Sequence, residues 1–198
     1  MKMGQGFEPN VIVMPMGFGK TTLARTFPEA FIDVDDIYKA SESFDAKGKA
    51  LRREALKTGD WTEVNQIHSD RLREYYTTGP GAEAPHRMLL MHSAPDHAFK
   101  GLDAAFLANK IYYADQIPQS DVLARVWARI PKDQPSDEKT QTMELAATNY
   151  SDFEARKRHY EEFKVSHLVE YAHNLLRAHE ESDDWATFLM KVQSGSFN

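Results

Sequence analysis

The stretch that most constrains this chain is Val11-Ile-Val-Met-Pro-Met-Gly-Phe-Gly-Lys-Thr-Thr-Leu-Ala24. Val11, Ile12 and Val13 are β-branched and read as a buried strand. The run breaks at Pro15, passes through Gly17 and Gly19, and meets Lys20 and Thr21 where a helical pattern, Thr22-Leu23-Ala24-Arg25-Thr26, opens. Strand, glycine-rich turn and helix in this order form the layout of a phosphate-binding loop, where backbone N–H groups converge on an anion. In that layout Pro15, Met16, Gly17, Phe18, Gly19, Lys20, Thr21 and Thr22 surround a nucleoside triphosphate. Lys20 reaches the β- and γ-phosphates, and the Thr21 hydroxyl holds Mg2+. The full pattern has one more glycine, at the position of Met14. The plain alternative is a turn that binds nothing, but it leaves Lys20-Thr21 without a purpose in this register.

A chain of 198 residues with 41% apolar content can bury one core, and a single domain over 1–198 is expected. No apolar run approaches the ~20 residues of a membrane span, so no membrane partner is expected. The segment Met1 to Asn10 carries no apolar leader pattern. The absence of cysteine excludes disulfides and thiolate metal sites and fits a reducing, cytoplasmic compartment, that of a host if the chain is viral. The net charge of −6 argues against a broad nucleic-acid surface and leaves room for a local basic groove. The eight histidines show no close ligand spacing and read as solvated or packed.

Further strands are expected at Ala30 to Val34, Arg87 to Met91 and Lys110 to Ala114. The pattern over 37–78 is helical, with a break at Gly59-Asp60. A short helix is expected from Leu102 to Ala108. Ser120-Asp121 can cap another, with Val122, Leu123, Val126, Trp127 and Ile130 as its apolar face and Pro131 as its end. Two long helices fill the C-terminus, roughly Phe153 to His179 and Asp184 to Val192. Alternating strands and helices predict an α/β fold, a three-layer P-loop NTPase type with a small parallel sheet of four or five strands flanked by helices. Residues 37–78 read as a helical insertion on the acceptor side. A fifth strand has one candidate, His167 to Tyr171, which reads better as helix. Ligands of such sheets sit at the strand C-terminal ends. That puts the loop, the Asp33 to Asp36 cluster and the turn at His92 along one rim.

Phe31-Ile-Asp-Val-Asp-Asp36 ends the second strand with three acids. Asp33 and Asp35 share a face while the strand persists. Beside a triphosphate, one carboxylate can hold Mg2+ through water, and Asp33 is the candidate. Another can accept the proton of an attacking hydroxyl. The alternative is that Asp35 or Asp36 caps a helix at Ile37. The base stays open among the three. Arg125 and Arg129, four apart, project from one helix face opposite Trp127 and Ile130. Arg156-Lys157-Arg158 is a second cationic cluster. Cations that neutralise developing charge are what phosphoryl transfer needs most.

These residues resemble the nucleotide kinase group of P-loop proteins, which includes adenylate, shikimate, gluconate and polynucleotide kinases. Met14 to Ala24 is similar to their Gly-x-Pro-Gly-x-Gly-Lys-Thr-x-x-Ala loop. Val122 to Arg129 resembles the stretch where adenylate kinases lead into the lid, and Arg156 to Tyr160 the stretch leading out. The resemblance implies that 125–158 is a short lid, that Arg125 stacks on the ATP adenine and that Arg125, Arg129 and Arg158 are lid cations. Asp33 to Asp36 is more similar to the Asp-x-Asp of shikimate kinase or the paired Asp of polynucleotide kinase, where an Asp activates an acceptor hydroxyl.

A carboxylate base favours a hydroxyl acceptor over an already ionised phosphate. Lys47, Lys49, Arg52, Arg53, Lys57, Arg71 and Arg73, interleaved with Trp61, Tyr75 and Tyr76, suit a nucleotide or a single strand. The alternative is an amphipathic helix pair balanced by Glu54, Glu63, Asp70 and Glu74. The expected activity is transfer of the ATP γ-phosphate to a hydroxyl on a nucleotide or nucleic acid, as in a polynucleotide 5′-kinase or a viral kinase of 5-hydroxymethyl pyrimidines in DNA. A nucleoside monophosphate or small-metabolite kinase, and an NTP-binding module without acceptor, are the competing readings.

Overall fold

The computed structural model describes residues 8–39, 46–115, 117–184, 187 and 190–191. The β-branched run at the start becomes β1 (Val11–Val13), buried throughout. After the loop come α1 (Lys20–Thr26), β2 (Phe31–Asp33) and α2 (Val34–Lys39), then the helices α3 (Ala46–Thr58), α4 (Thr62–Thr77) and the single turn α5 (Pro80–Glu83). The chain returns through β3 (Met88–Met91), α6 (Pro95–Ala98) and β4 (Ile111–Ala114). It finishes with α7 (Gln119–Trp127), α8 (Ser136–Lys157), β5 (Glu161–Phe163) and α9 (Val165–Glu180).

The five strands are all parallel, in the order β2-β3-β1-β4-β5. Parallel sheets are normally covered on both faces, and adjacent residues of one strand show that here. Tyr113 stacks on Phe153 of α8, while Tyr112 meets Phe163, which in turn meets Tyr171 of α9. Successive side chains point to opposite faces, so α8 and α9 cover opposite sides and the fold has three layers. Val13 lies level with Met91 and Tyr113, and Asp33 with Leu90. The register therefore brings the ends of β1, β2 and β3 to one rim. From β1 the chain leaves toward β2, and from β4 toward β5. Such a divergence opens a crevice at the strand C-termini.

Several expectations are corrected. β2 stops at Asp33 and Val34 begins α2, so Asp33 and Asp35 do not alternate along a strand. Residues 102–108 are not helical. The helix instead starts earlier, at Pro95, where a first-turn proline needs no hydrogen-bonded N–H, and the chain turns at Gly101 with φ 79°. The long helix expected over Phe153 to His179 is two helices separated by β5. Glu161 and Glu162 carry no strand signal, and pairing with β4 alone makes that edge a strand. His167 to Tyr171 is helical, within α9. Pro118, not Ser120 or Asp121, occupies the N-cap of α7, and no side chain caps it. Trp127 leaves the expected apolar face and is 59% exposed. The region 125–158, expected as a short lid, holds the end of α7, a turn and the 22-residue α8, which packs back on α7. The helix expected over Asp184 to Val192 lies largely outside the described residues. Among the described residues, no helix is long and apolar enough to cross a membrane.

Candidate phosphate-binding site

The loop between β1 and α1 is held from below by the sheet. The Met14 N–H donates to the Met91 carbonyl at 2.7 Å, continuing the β1–β3 ladder one residue past the strand. The Met14 side chain is 2% exposed and sits in the core. Among the described residues only Ala104, of the non-glycines, has positive φ, so the backbone at Met14 lies in a region open to any side chain. A thioether replaces the customary glycine without strain because it points into the core and not into the loop.

Gly17 and Gly19 differ in kind, with φ of 83° and 94°. That conformation is costly for residues with a Cβ. At Gly17 a Cβ would stand 2.9 Å from the Val122 carbonyl oxygen, so α7 lies directly on the loop. Between the two glycines, the Phe18 N–H donates to the Pro15 carbonyl at 3.2 Å, and its ring packs on Tyr150 and Phe153 of α8. Gly19 is the N-cap of α1 and offers no side-chain cap, which leaves the first-turn N–H groups unclaimed by a protein side chain.

Lys20 is 8% exposed, and its Nζ donates to the Met14 carbonyl at 3.1 Å. Burial draws the Lys20 ammonium below the usual lysine range, with Arg129 adding to this, while Asp33 and Asp35 oppose it. The Thr21 hydroxyl donates to Asp33 Oδ2 at 2.7 Å, and the Asp35 N–H donates to Asp33 Oδ1 at 3.2 Å. Asp33 is fully buried. Its carboxylate therefore closes the first turn of α2, a role the sequence suggested for Asp35 or Asp36. It ties the end of β2 to the start of α1 as well. Asp35 is half-buried, and Asp36 is exposed.

The expected lid cations divide. Arg125 Nη1 donates to the Gly17 carbonyl at 3.4 Å, and Arg129 lies near enough to act on the Lys20 charge. Arg158 is exposed at the C-cap of α8, where its Nε meets His159 Nε2 at 3.3 Å. No described contact brings Arg158 to the loop. The length of α8 carries it past the stretch, Tyr150 to Phe153, that touches Phe18.

A second wall lies near the loop; the sequence placed the turn at His92 on this rim but did not bring His68 or Tyr38 to it. His92 is the first residue after β3, directly beside the ends of β1 and β2. It keeps some exposure yet is crowded by protein, as a group lining a cleft is. Burial, reinforced by Lys20 and Arg52, pushes its pKa down to about 4, against the pull of Asp33. His68 of α4 stacks on Tyr38 of α2, with centroids 3.8 Å apart and planes 8° from parallel. Burial, then His92 and Arg52, holds His68 at about 4 also, with Asp35 opposing. Both rings are neutral at neutral pH. Their chain spacing reveals nothing; the placement of His92 at a strand end was the available signal.

Among the described residues, no group of three or more His, Asp and Glu side chains gathers to hold a metal. A hard divalent cation fits only as a partner of phosphate oxygens and water, with the Thr21 hydroxyl and the Asp33 carboxylate as protein donors. That oxygen donor set suits Mg2+. No protein-family model matches the chain, and no curated protein matches it.

Proposed function

We propose that the chain is a P-loop phosphotransferase that moves the γ-phosphate of ATP to a hydroxyl on a nucleotide or nucleic acid. The observation that carries this reading is the 2.7 Å contact between Thr21 and the fully buried Asp33, with the buried Lys20 beside it. A buried carboxylate and a buried ammonium around a partly buried hydroxyl are costly to fold and have no packing role that apolar residues would not fill better. At this spot the loop N–H groups and Lys20 bind the triphosphate tail, and Lys20 neutralises charge as it moves to the bridging oxygen. Mg2+, bound with Thr21 and Asp33, supplies further neutralisation of the phosphate oxygens. Arg125 and Arg129 close the loop from the α7 side.

Asp33 is already engaged by Thr21 and the Asp35 N–H, whereas the Asp35 carboxylate, with no side-chain hydrogen bond among the described residues, acts on Lys20 of the loop and on Tyr38 and His68 across from it. Asp35 is therefore assigned as the base that takes the acceptor hydroxyl proton, and Asp33 as the metal-side carboxylate. The test is ADP release from ATP with DNA, RNA, nucleosides and sugars offered in turn. At least one acceptor accelerates release above the rate with water. If none does, the transferase reading fails and an NTP-binding module remains.

A further inference from the structure

The helix α3 has the charge of a binding element, not of a solvated face. Lys47, Lys49, Arg52, Arg53 and Lys57 face a single acid, Glu54, along it. The helix stands at +4 in a chain of −6, so the remaining residues stand at −10. Its neighbour α4 uses its cations internally: Arg71 pairs with Glu74 at 2.9 Å and Arg73 with Asp70 at 3.4 Å. Lys49, Arg52, Arg53 and Lys57 are exposed and have no hydrogen-bond or ion-pair partner among the described residues. An acidic protein that keeps a cluster of unpaired like charges on one helix accepts their mutual repulsion. A polyanion bound there relieves it.

Position completes the case. Gly59 to Trp61 turns α3 back along α4, and the two helices pack together. Residues equidistant from Asp60 then lie level, which sets Arg52 across from His68. Lys49, Arg53 and Lys57 follow at four-residue steps, a row of cations roughly 6 Å apart along the outer helix surface. By the same count Arg53, the middle of the row, lies level with Ile67, one residue from His68.

We propose that α3 is a track for the phosphodiester backbone of a single-stranded nucleic acid, which delivers a strand-borne hydroxyl past Arg52 to the loop. This rests on the phosphotransfer reading and names its acceptor class. Fluorescein-labelled oligo(dT) of two, four and eight nucleotides is the probe, with binding read by anisotropy and ATP binding read separately by calorimetry. Affinity rises with length. For the eight-mer it weakens about 20- to 50-fold between 50 and 200 mM NaCl, the dependence expected for three to four released counterions on a single strand. In the variant K49Q/R53Q/K57Q the same salt change weakens binding by less than about 3-fold, and the heat of ATP binding is unchanged. The charge-keeping variant K49R/R53K/K57R retains the wild-type salt dependence. Oligonucleotide binding that is absent, or indifferent to the triple glutamine change, overturns the track even while ATP binding stands. So does a preference for phosphatidylserine vesicles over oligonucleotide, lost in the same variant. Absence of ATP heat instead sinks the loop reading itself.

Discussion

The two walls of the crevice are built on different principles. On the loop wall, Lys20, Thr21, Asp33 and Arg125 are each tied by a hydrogen bond: Lys20 to Met14, Thr21 to Asp33, Asp33 to the Asp35 N–H, Arg125 to Gly17. On the facing wall, α2, α4 and the turn after β3 present stacked or crowded neutral rings, and α3 carries exposed cations with no hydrogen-bond or ion-pair partner among the described residues. The first wall is organised before any ligand arrives, and the second is left to be completed by one. Pre-organised donors are what a transition state needs. Exposed cations serve capture and orientation of a flexible anion, for which rigidity matters less.

The largest effect that would break this contrast is at Lys20. Lys20→Ala should cut acceptor-dependent turnover about 1,000-fold or more, measured as steady-state ADP release, with circular dichroism unchanged. Near-native turnover would remove the catalytic meaning of the loop wall. Asp35→Asn comes next. A lost general base costs about 100-fold or more, and the loss should appear in kcat while ATP affinity by calorimetry holds, because in this reading the loop, Lys20 and Asp33 hold the triphosphate and its metal. A raised ATP dissociation constant with unchanged kcat would move Asp35 to the loop side.

Gly17→Ala tests how rigidly α7 rests on the loop. The added methyl meets the Val122 carbonyl in a left-handed backbone, so a loss of roughly 1–3 kcal/mol in urea unfolding is expected. No loss would show that α7 shifts freely. The smallest effect comes from the facing wall itself. His68 and His92 are held at about 4, below the ordinary 6.5. Their depressed values mean the unfolded chain binds more protons in this interval, so their stabilisation is complete above pH 6.5 and is lost as pH falls toward 4. Unfolding free energy should drop by about 1–2 kcal/mol from pH 7 to pH 6, and the double variant H68Q/H92Q should flatten that slope. His86, also held at about 4 by burial, leaves a residual slope in the variant. An unchanged slope would mean the two rings are solvated and no wall exists.

How much of this was legible follows from the range of the forces involved. Gly17, Gly19, Lys20 and Thr21 announce themselves because a tight turn around an anion is a local structure with fixed spacing. Met14 looked like damage to that pattern, and only its place over the core shows why it is harmless. The three acids were visible as a cluster, but their division of labour was not. It depends on β2 stopping at Asp33, which the sheet register decides. Arg125 was found by helical spacing. Arg158 has no described contact with the loop, because α8, whose length was hidden by polar residues with no strong stripe, carries it beyond Phe153. His68, His92 and Arg52 lie 24 and 40 residues apart in the extreme pairs, and nothing local links them.

By itself, then, the chain settled what short-range physics can settle: one buried strand, a glycine turn with a lysine and a threonine behind it, and a rhythm of strands and helices that demands a covered parallel sheet. The tertiary structure alone decided which acid meets Thr21, which arginine reaches the loop, that two glutamates and Phe163 form the edge strand β5, and that His92, coupled to the distant His68, stands within reach of the Lys20 charge. Those outcomes depend on strand order and helix length, where free energy is shared among residues far apart in the chain, and no window of sequence contains it.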